Sequence, residues 1–255
     1  MRSEAPQARA TSVVRMDPGP VARPHAPPAP VSWGLPDVLI AWVVGVVASV
    51  VLTAPFIDPS KPLSKQVTGL LVAVAAQSIG AVGWLAVVAR RKGLGSLRDD
   101  FGLAIEARDL LWILGGVLVA FVAGILVLPI TELAGLKDSS QEVVKTFEHS
   151  AGVLEKIGVA VGIVLIAPIG EELLFRGALL RSLMRRTSPA VAVFVTALVF
   201  ALVHFVGDPG TGYYVPAFLL LGLISGWRAA VTGRIGQSIC LHVGFNLLGA
   251  IQILT

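Results

Sequence analysis

Residues Ile157–Met184 read IGVAVGIVLIAPIGEELLFRGALLRSLM. About 20 apolar residues suffice to cross the hydrocarbon of a bilayer as a helix, and this run is longer than that. Yet Glu171 and Glu172 sit at its centre, with Arg176 one turn later and Arg181 beyond. At the rise of an α-helix, Glu171 lies about 20 Å from either end. Ionisable groups at that depth are costly, and they mark catalytic sites, relays or substrate paths. The segment predicts a membrane fold and also the level at which its chemistry takes place.

Six further apolar runs flank it. Val38–Ile57, Val67–Ala89 and Leu110–Thr131 precede it and carry no charge. Ser188–Val206 holds His204, Tyr213–Val231 holds Arg228 near its end, and Ile235–Leu254 holds His242. The whole chain of 255 residues is 55% hydrophobic and 14% charged, whereas a soluble domain carries roughly 25% charged residues. The expected fold class is all-α, a polytopic membrane helix bundle of about seven transmembrane helices.

Lys and Arg then report orientation. Arg90, Arg91, Lys92, Arg98 and Arg108 lie in one connection, Arg181, Arg185 and Arg186 in a second, Arg228 and Arg234 in a third. Those connections fall on one side, so that side and the N-terminus are expected to face the cytoplasm. Localisation in the cell membrane follows, and the Ala-, Val-, Gly- and Arg-rich composition suggests a bacterial plasma membrane. Because the basic residues sit at the ends of apolar runs rather than on one solvated face, nucleic acid is not an expected partner. The lipid bilayer is.

Residues 1–35 are rich in Pro, Ala and Arg and predict a disordered cytoplasmic tail. Residues 36–255 form the membrane domain, with a catalytic core at 157–250. Between the third and fourth runs, Asp138–Lys156 carries Val143, Val144, Phe147, Ala151 and Leu154 at roughly helical spacing, which predicts an amphipathic helix on the membrane surface. Gly158 and Gly162, and Gly222 and Gly226, have the spacing that lets helices approach closely. The single cysteine, Cys240, reads as a packing residue.

Three short patterns carry the chemistry. The fourth run contains Glu171-Glu172 followed by Arg176, the fifth Phe200 and His204, the seventh His242 and Asn246. Neighbouring helical residues differ by about 100° in direction, so Glu171 and Glu172 face different ways. Glu172 and Arg176 are four apart and can pair. Glu171 is then free to face a cavity, where a desolvated carboxylate is a stronger base. His204 lies roughly 27 Å along its helix from Arg186, toward the outer face, while His242 and Asn246 lie roughly 12 and 18 Å past Arg234. Glu171 with His204 could activate a water, and His242 with Asn246 could donate to the oxyanion of an attacked carbonyl. Pro168 and Gly170 predict a kink or opening beside the carboxylates.

In order and in placement on separate spans, Glu171-Glu172-x-x-x-Arg176, Phe200-x-x-x-His204 and His242-x-x-x-Asn246 resemble the CAAX protease and bacteriocin-processing family of intramembrane proteases. That family includes the type II CAAX prenyl endopeptidases and lysostaphin-resistance-like proteins. The resemblance implies an intramembrane endopeptidase acting on a peptide or protein substrate. It assigns Glu171, His204, His242, Asn246 and Glu172 to catalysis and leaves Arg176 and Phe200 as orienting residues. The family has been described both as glutamate proteases and as metalloproteases. The expected cofactor is none, because Glu172 already has a partner in Arg176. The alternative is zinc held by Glu171, Glu172, His204 and His242. Two rival functions use the same features: a transporter with a mid-membrane relay, and a non-proteolytic immunity or scaffold protein. Substrate identity and oligomeric state are not legible.

Overall fold

The computed structural model describes residues 31–62, 65–133, 152–207 and 209–254. The tail at 1–30 and most of the surface helix expected at 138–156 lie outside the described residues. Among the described residues there is no strand. The main helices are α1 (Leu35–Thr53), α2 (Val67–Lys92), the short α3 (Leu97–Phe101), α4 (Trp112–Leu133), α5 (Val153–Met184), α6 (Pro189–Gly207), α7 (Val215–Thr232) and α8 (Gly236–Leu254). Six helical segments are long and apolar enough to cross a membrane. The seventh expected span, α8, is helical as anticipated, but its apolar stretch at Gly236–Ile251 falls among the shorter ones. The chain is a multi-pass membrane protein.

The outward faces are apolar, the reverse of a soluble protein. On α4, Leu114, Leu118, Phe121 and Ile125 recur at helical spacing and are 71%, 62%, 60% and 54% exposed. A stripe of that size in water would be an aggregation site; in a bilayer it meets a solvent as apolar as itself. Because lipid supplies no hydrophobic drive between helices, close backbone approach must supply the contact. Glycines provide it at each main crossing. A Cβ on Gly116 would overlap the Leu241 carbonyl, and one on Gly244 would overlap the Ile113 carbonyl, so α4 and α8 meet through this pair. Gly80 packs on Gly45 between α2 and α1, and Gly222 packs on Ala197 between α7 and α6. Gly158 and Gly162 lie against Leu71 and Val74 of α2. The spacing read at 158/162 and 222/226 thus marks real contacts, while the Gly116–Gly244 and Gly45–Gly80 pairs join helices far apart in sequence.

The helix α5 occupies the centre, touching α1, α2, α6, α7 and α8. It is not uniform. Gly162–Ile166 and Leu173–Leu179 are π-helical turns on either side of an α-helical Ala167–Glu172. Pro168 has no N–H and cannot bond the carbonyl of Val164, so the wide turn before it absorbs the defect. The expected opening at Gly170 does not occur. Gly170 stays helical and buried, and its missing Cβ lets Ser78 of α2 close over it.

One end of the bundle gathers the basic residues, and there they tie connections together. Arg185 donates to the Trp33 carbonyl at 2.6 Å and its guanidinium lies 4.1 Å from the Trp33 ring. Arg181 donates to the carbonyls of Asp100 and Gly233. Arg234 pairs with buried Asp109 at 2.8 Å, and this bond holds the guanidinium above its ordinary value. Trp33 is itself buried, donates to Asp100 at 2.8 Å and packs on Phe101. Ser32 N–H bonds the Lys92 carbonyl at the end of α2.

Candidate active site

Two adjacent glutamates on α5 reach opposite environments, as their 100° offset requires. Glu172 is fully buried. Its Oε1 accepts from Arg176 Nη1 at 3.0 Å and from His242 Nδ1 at 2.9 Å. Arg176 is also fully buried, with its guanidinium 4.4 Å from the centre of the Phe200 ring, within cation–π range. The expected i, i+4 pair is present, and α8 joins it through His242.

Glu171 is 28% exposed and turns to the other side. Its Oε2 lies 3.7 Å from His204 Nε2 and 3.8 Å from His242 Nε2. Three helices (α5, α6 and α8) therefore bring two imidazole nitrogens to one carboxylate oxygen. His204 reaches it from higher on α6 because helical side chains tilt toward the N-terminus. The depth mismatch expected from residue counting closes in this way.

The hydrogen bonds assign the tautomers. His204 Nδ1 lies 2.8 Å from the Phe200 carbonyl, which can only accept, so Nδ1 carries hydrogen. His242 Nδ1 faces a carboxylate already paired with Arg176, so it too donates. In the neutral rings both Nε2 atoms then present lone pairs toward Glu171 Oε2. Half of the buried side-chain polar atoms without a partner among the described residues belong to this cluster: Glu171 Oε2, Glu172 Oε2, Arg176 Nε and Arg176 Nη2. Such atoms concentrate at functional sites.

Asn246 lies one turn past His242 and has a structural bond of its own. Its Nδ2 donates to the Ile163 carbonyl at 2.9 Å. Within the first π turn the Ala167 N–H is taken by Gly162, and the next residue, Pro168, has no N–H. The Ile163 carbonyl has lost both helical donors, and Asn246 from α8 supplies one. A carboxamide nitrogen carries two hydrogens, so a second remains for another acceptor.

Phe200 contacts nearly every member of the site, at 4.5 Å from His204, 5.6 Å from His242 and 5.2 Å from Phe175. Phe218 of α7, which carries no motif in the sequence, stacks on His204 at 4.4 Å. No composition or spacing signal distinguishes it from other apolar residues of its span. Cys240 is buried.

The zinc alternative would draw on Glu171, Glu172, His204 and His242, which lie together in this cluster. Glu172 Oε1 is engaged by both Arg176 and His242, and among the described residues no group of three or more His, Cys, Asp or Glu side chains is arranged to hold a metal ion. Glu171 Oε2 lies 3.7 Å from His204 Nε2 and 3.8 Å from His242 Nε2, somewhat wider than the roughly 3.4 Å edge of a tetrahedron with zinc–ligand bonds of about 2.0–2.1 Å.

Residues 154–248 match the family model described as type II CAAX prenyl endopeptidase Rce1-like. The matched stretch runs from the start of α5 almost to the end of α8 and includes every residue of the cluster. No curated protein and no solved structure matches the chain.

Proposed function

We propose that this chain is an intramembrane endopeptidase of the CAAX type, in which Glu171 activates a water for attack on a peptide carbonyl. The observation that carries the reading is the convergence of Glu171 Oε2 with His204 Nε2 and His242 Nε2 at 3.7 and 3.8 Å, from three helices, beside a buried Glu172–Arg176 pair. A water in hydrogen-bond contact with Glu171 and His204 has one proton directed at each acceptor and a lone pair left for the substrate carbon. Glu171 takes the proton as the water oxygen attacks, and returns it to the amide nitrogen as the C–N bond breaks.

The oxyanion needs donors. Asn246 has a second N–H once Ile163 has taken the first. His242 has two roles set by its charge: neutral, its Nε2 accepts; protonated, it donates to the oxyanion while Nδ1–H stays on Glu172. Glu172, Arg176 and Phe200 do not need to touch substrate in this scheme. They hold His242 and His204 in place.

The reading is metal-free, because Glu172 Oε1 is already engaged by Arg176 and His242. Substrate is a peptide that reaches the site at membrane depth. The basic end and the N-terminus face the cytoplasm, and the membrane is a bacterial plasma membrane.

The test uses purified protein in detergent and a fluorogenic farnesylated CAAX peptide. Wild type should cleave it, with or without chelator. Glu171→Gln and His204→Ala should lose about 10²–10⁴-fold in rate while remaining folded, the usual scale for a general base or its partner. Full activity in Glu171→Gln would remove the proposal's base and with it the mechanism.

A further inference from the structure

The torsion that turns a histidine ring about its Cβ–Cγ bond is broad and two-fold, so the side chain does not choose by itself which nitrogen it presents. His204 must be set by its neighbours. Its Nδ1–H is held by the Phe200 carbonyl at 2.8 Å. The Phe200 ring lies 4.5 Å from it with planes at 54°, and the Phe218 ring lies 4.4 Å from it with planes at 30°. The two phenyl rings are 6.3 Å apart. These three separations form a triangle with an angle of about 90° at His204, at or near the close end of the roughly 4.5–7 Å range of aromatic pairs. Phe200 and Phe218 thus approach the imidazole from two directions about a right angle apart, Phe218 with the smaller interplanar angle. Phe218 is 9% exposed and is braced in turn by Tyr214 at 6.4 Å and Phe245 at 6.5 Å. Its place is maintained by the turn that leads into α7 and by α8 together.

We propose that Phe218 is a positioning residue for His204, blocking rotation of the imidazole so that Nε2, and not a carbon, faces Glu171. The contact is cross-helix, and no position in α6 provides it. This proposal rests on the peptidase reading only for its kinetic consequence, since the restraint on the ring is a property of the resting protein.

Two measurements separate those parts. Protein labelled with ¹³C-histidine in detergent micelles gives few imidazole signals, because the chain has 4 histidines. The His204 signal is assigned by its loss in His204→Gln. In wild type it should be displaced upfield by the stacked ring, and Phe218→Leu should remove that displacement while the His242 signal stays in place as a check on folding. Phe218→Met, which keeps volume without a ring, should behave like Phe218→Leu, and Phe218→Tyr should restore the wild-type spectrum. With the farnesylated CAAX peptide, Phe218→Leu should lower kcat by about 10–100-fold at unchanged KM, the scale of a small misplacement of a reacting group. Phe218→Tyr should recover the rate. A His204 signal indifferent to all three substitutions would overturn the proposal, whatever the peptide assay gives. Altered signals with undiminished kcat would overturn the positioning role. A wild-type protein that cleaves nothing, yet shows the spectral changes, would count against the peptidase reading alone.

Discussion

Arg176 is a cation with no exposed surface, and its one carboxylate partner is shared with His242. Removing one member of a buried pair leaves the other charge uncompensated and costs about 3–5 kcal/mol, whereas replacing both with apolar residues is often neutral. Arg176→Met should therefore lower the unfolding midpoint in detergent strongly, and Glu172→Leu with Arg176→Met should recover most of it. The double variant should still be inactive in peptide cleavage, because His242 has lost its Nδ1 acceptor. Recovered stability together with full activity would mean that the triad is a pin between helices and nothing more. The Glu172–Arg176 half of this arrangement was legible in the sequence, since four residues on one helix decide it. The His242 half was not: the partners are 70 residues apart, and their bond depends on how α5 and α8 cross.

A helix that carries proline must route its carbonyls elsewhere, and α5 does so through α8. The Ile163 carbonyl has lost its helical donors to the π turn and to Pro168, and Asn246 supplies the missing N–H. Asn246→Ala should leave that carbonyl unsatisfied at a cost of about 1–3 kcal/mol. In a Pro168→Ala background the turn can return to α-helical register, where Ala167 donates to Ile163. The same Asn246→Ala change should then cost less, with a coupling of about 0.5–3 kcal/mol in a double-mutant cycle of unfolding energies. Strict additivity would show the bond to be incidental. The α4–α8 crossing makes a second element-level case. Gly244→Ala would push a methyl into the Ile113 carbonyl and should destabilise by about 1–3 kcal/mol, with loss of cleavage because α8 carries His242 and Asn246. Gly249→Ala, with nothing within 4 Å, should be silent by both measures. Proline and glycine announced in the sequence that α5 is irregular. They did not say whether the chain would open, kink or widen, because that depends on Ser78 closing over Gly170 and on Asn246 being in reach.

Taken as a whole, the chain alternates direction. The starts of α1, α4, α6 and α8 and the ends of α2, α5 and α7 meet through the network of Trp33, Asp100, Asp109, Arg181, Arg185 and Arg234, or lie in the connections next to it. The apolar runs and the positions of the basic connections were readable in advance because length and charge placement report them directly. The use of those same arginines as ties between connections was not, since it needs the three-dimensional end of the bundle. Their double role makes a topology measurement decisive. The opposite end is marked by Ser60, exposed in the turn between α1 and α2, while Arg91 and Arg186 are exposed at the basic end. Cys240 is buried, and Cys240→Ala gives a background without thiols. In that background, Ser60→Cys should react with a membrane-impermeant maleimide on intact spheroplasts, while Arg91→Cys and Arg186→Cys should react only after permeabilisation. This is the pattern expected when the Lys- and Arg-rich side stays in the cytoplasm. The reverse pattern would place the basic ties outside, and the site would then open toward substrates of the opposite compartment. Labelling of all three in intact spheroplasts would contradict the alternation of spans, on which the meeting of Glu171, His204 and His242 at one depth depends.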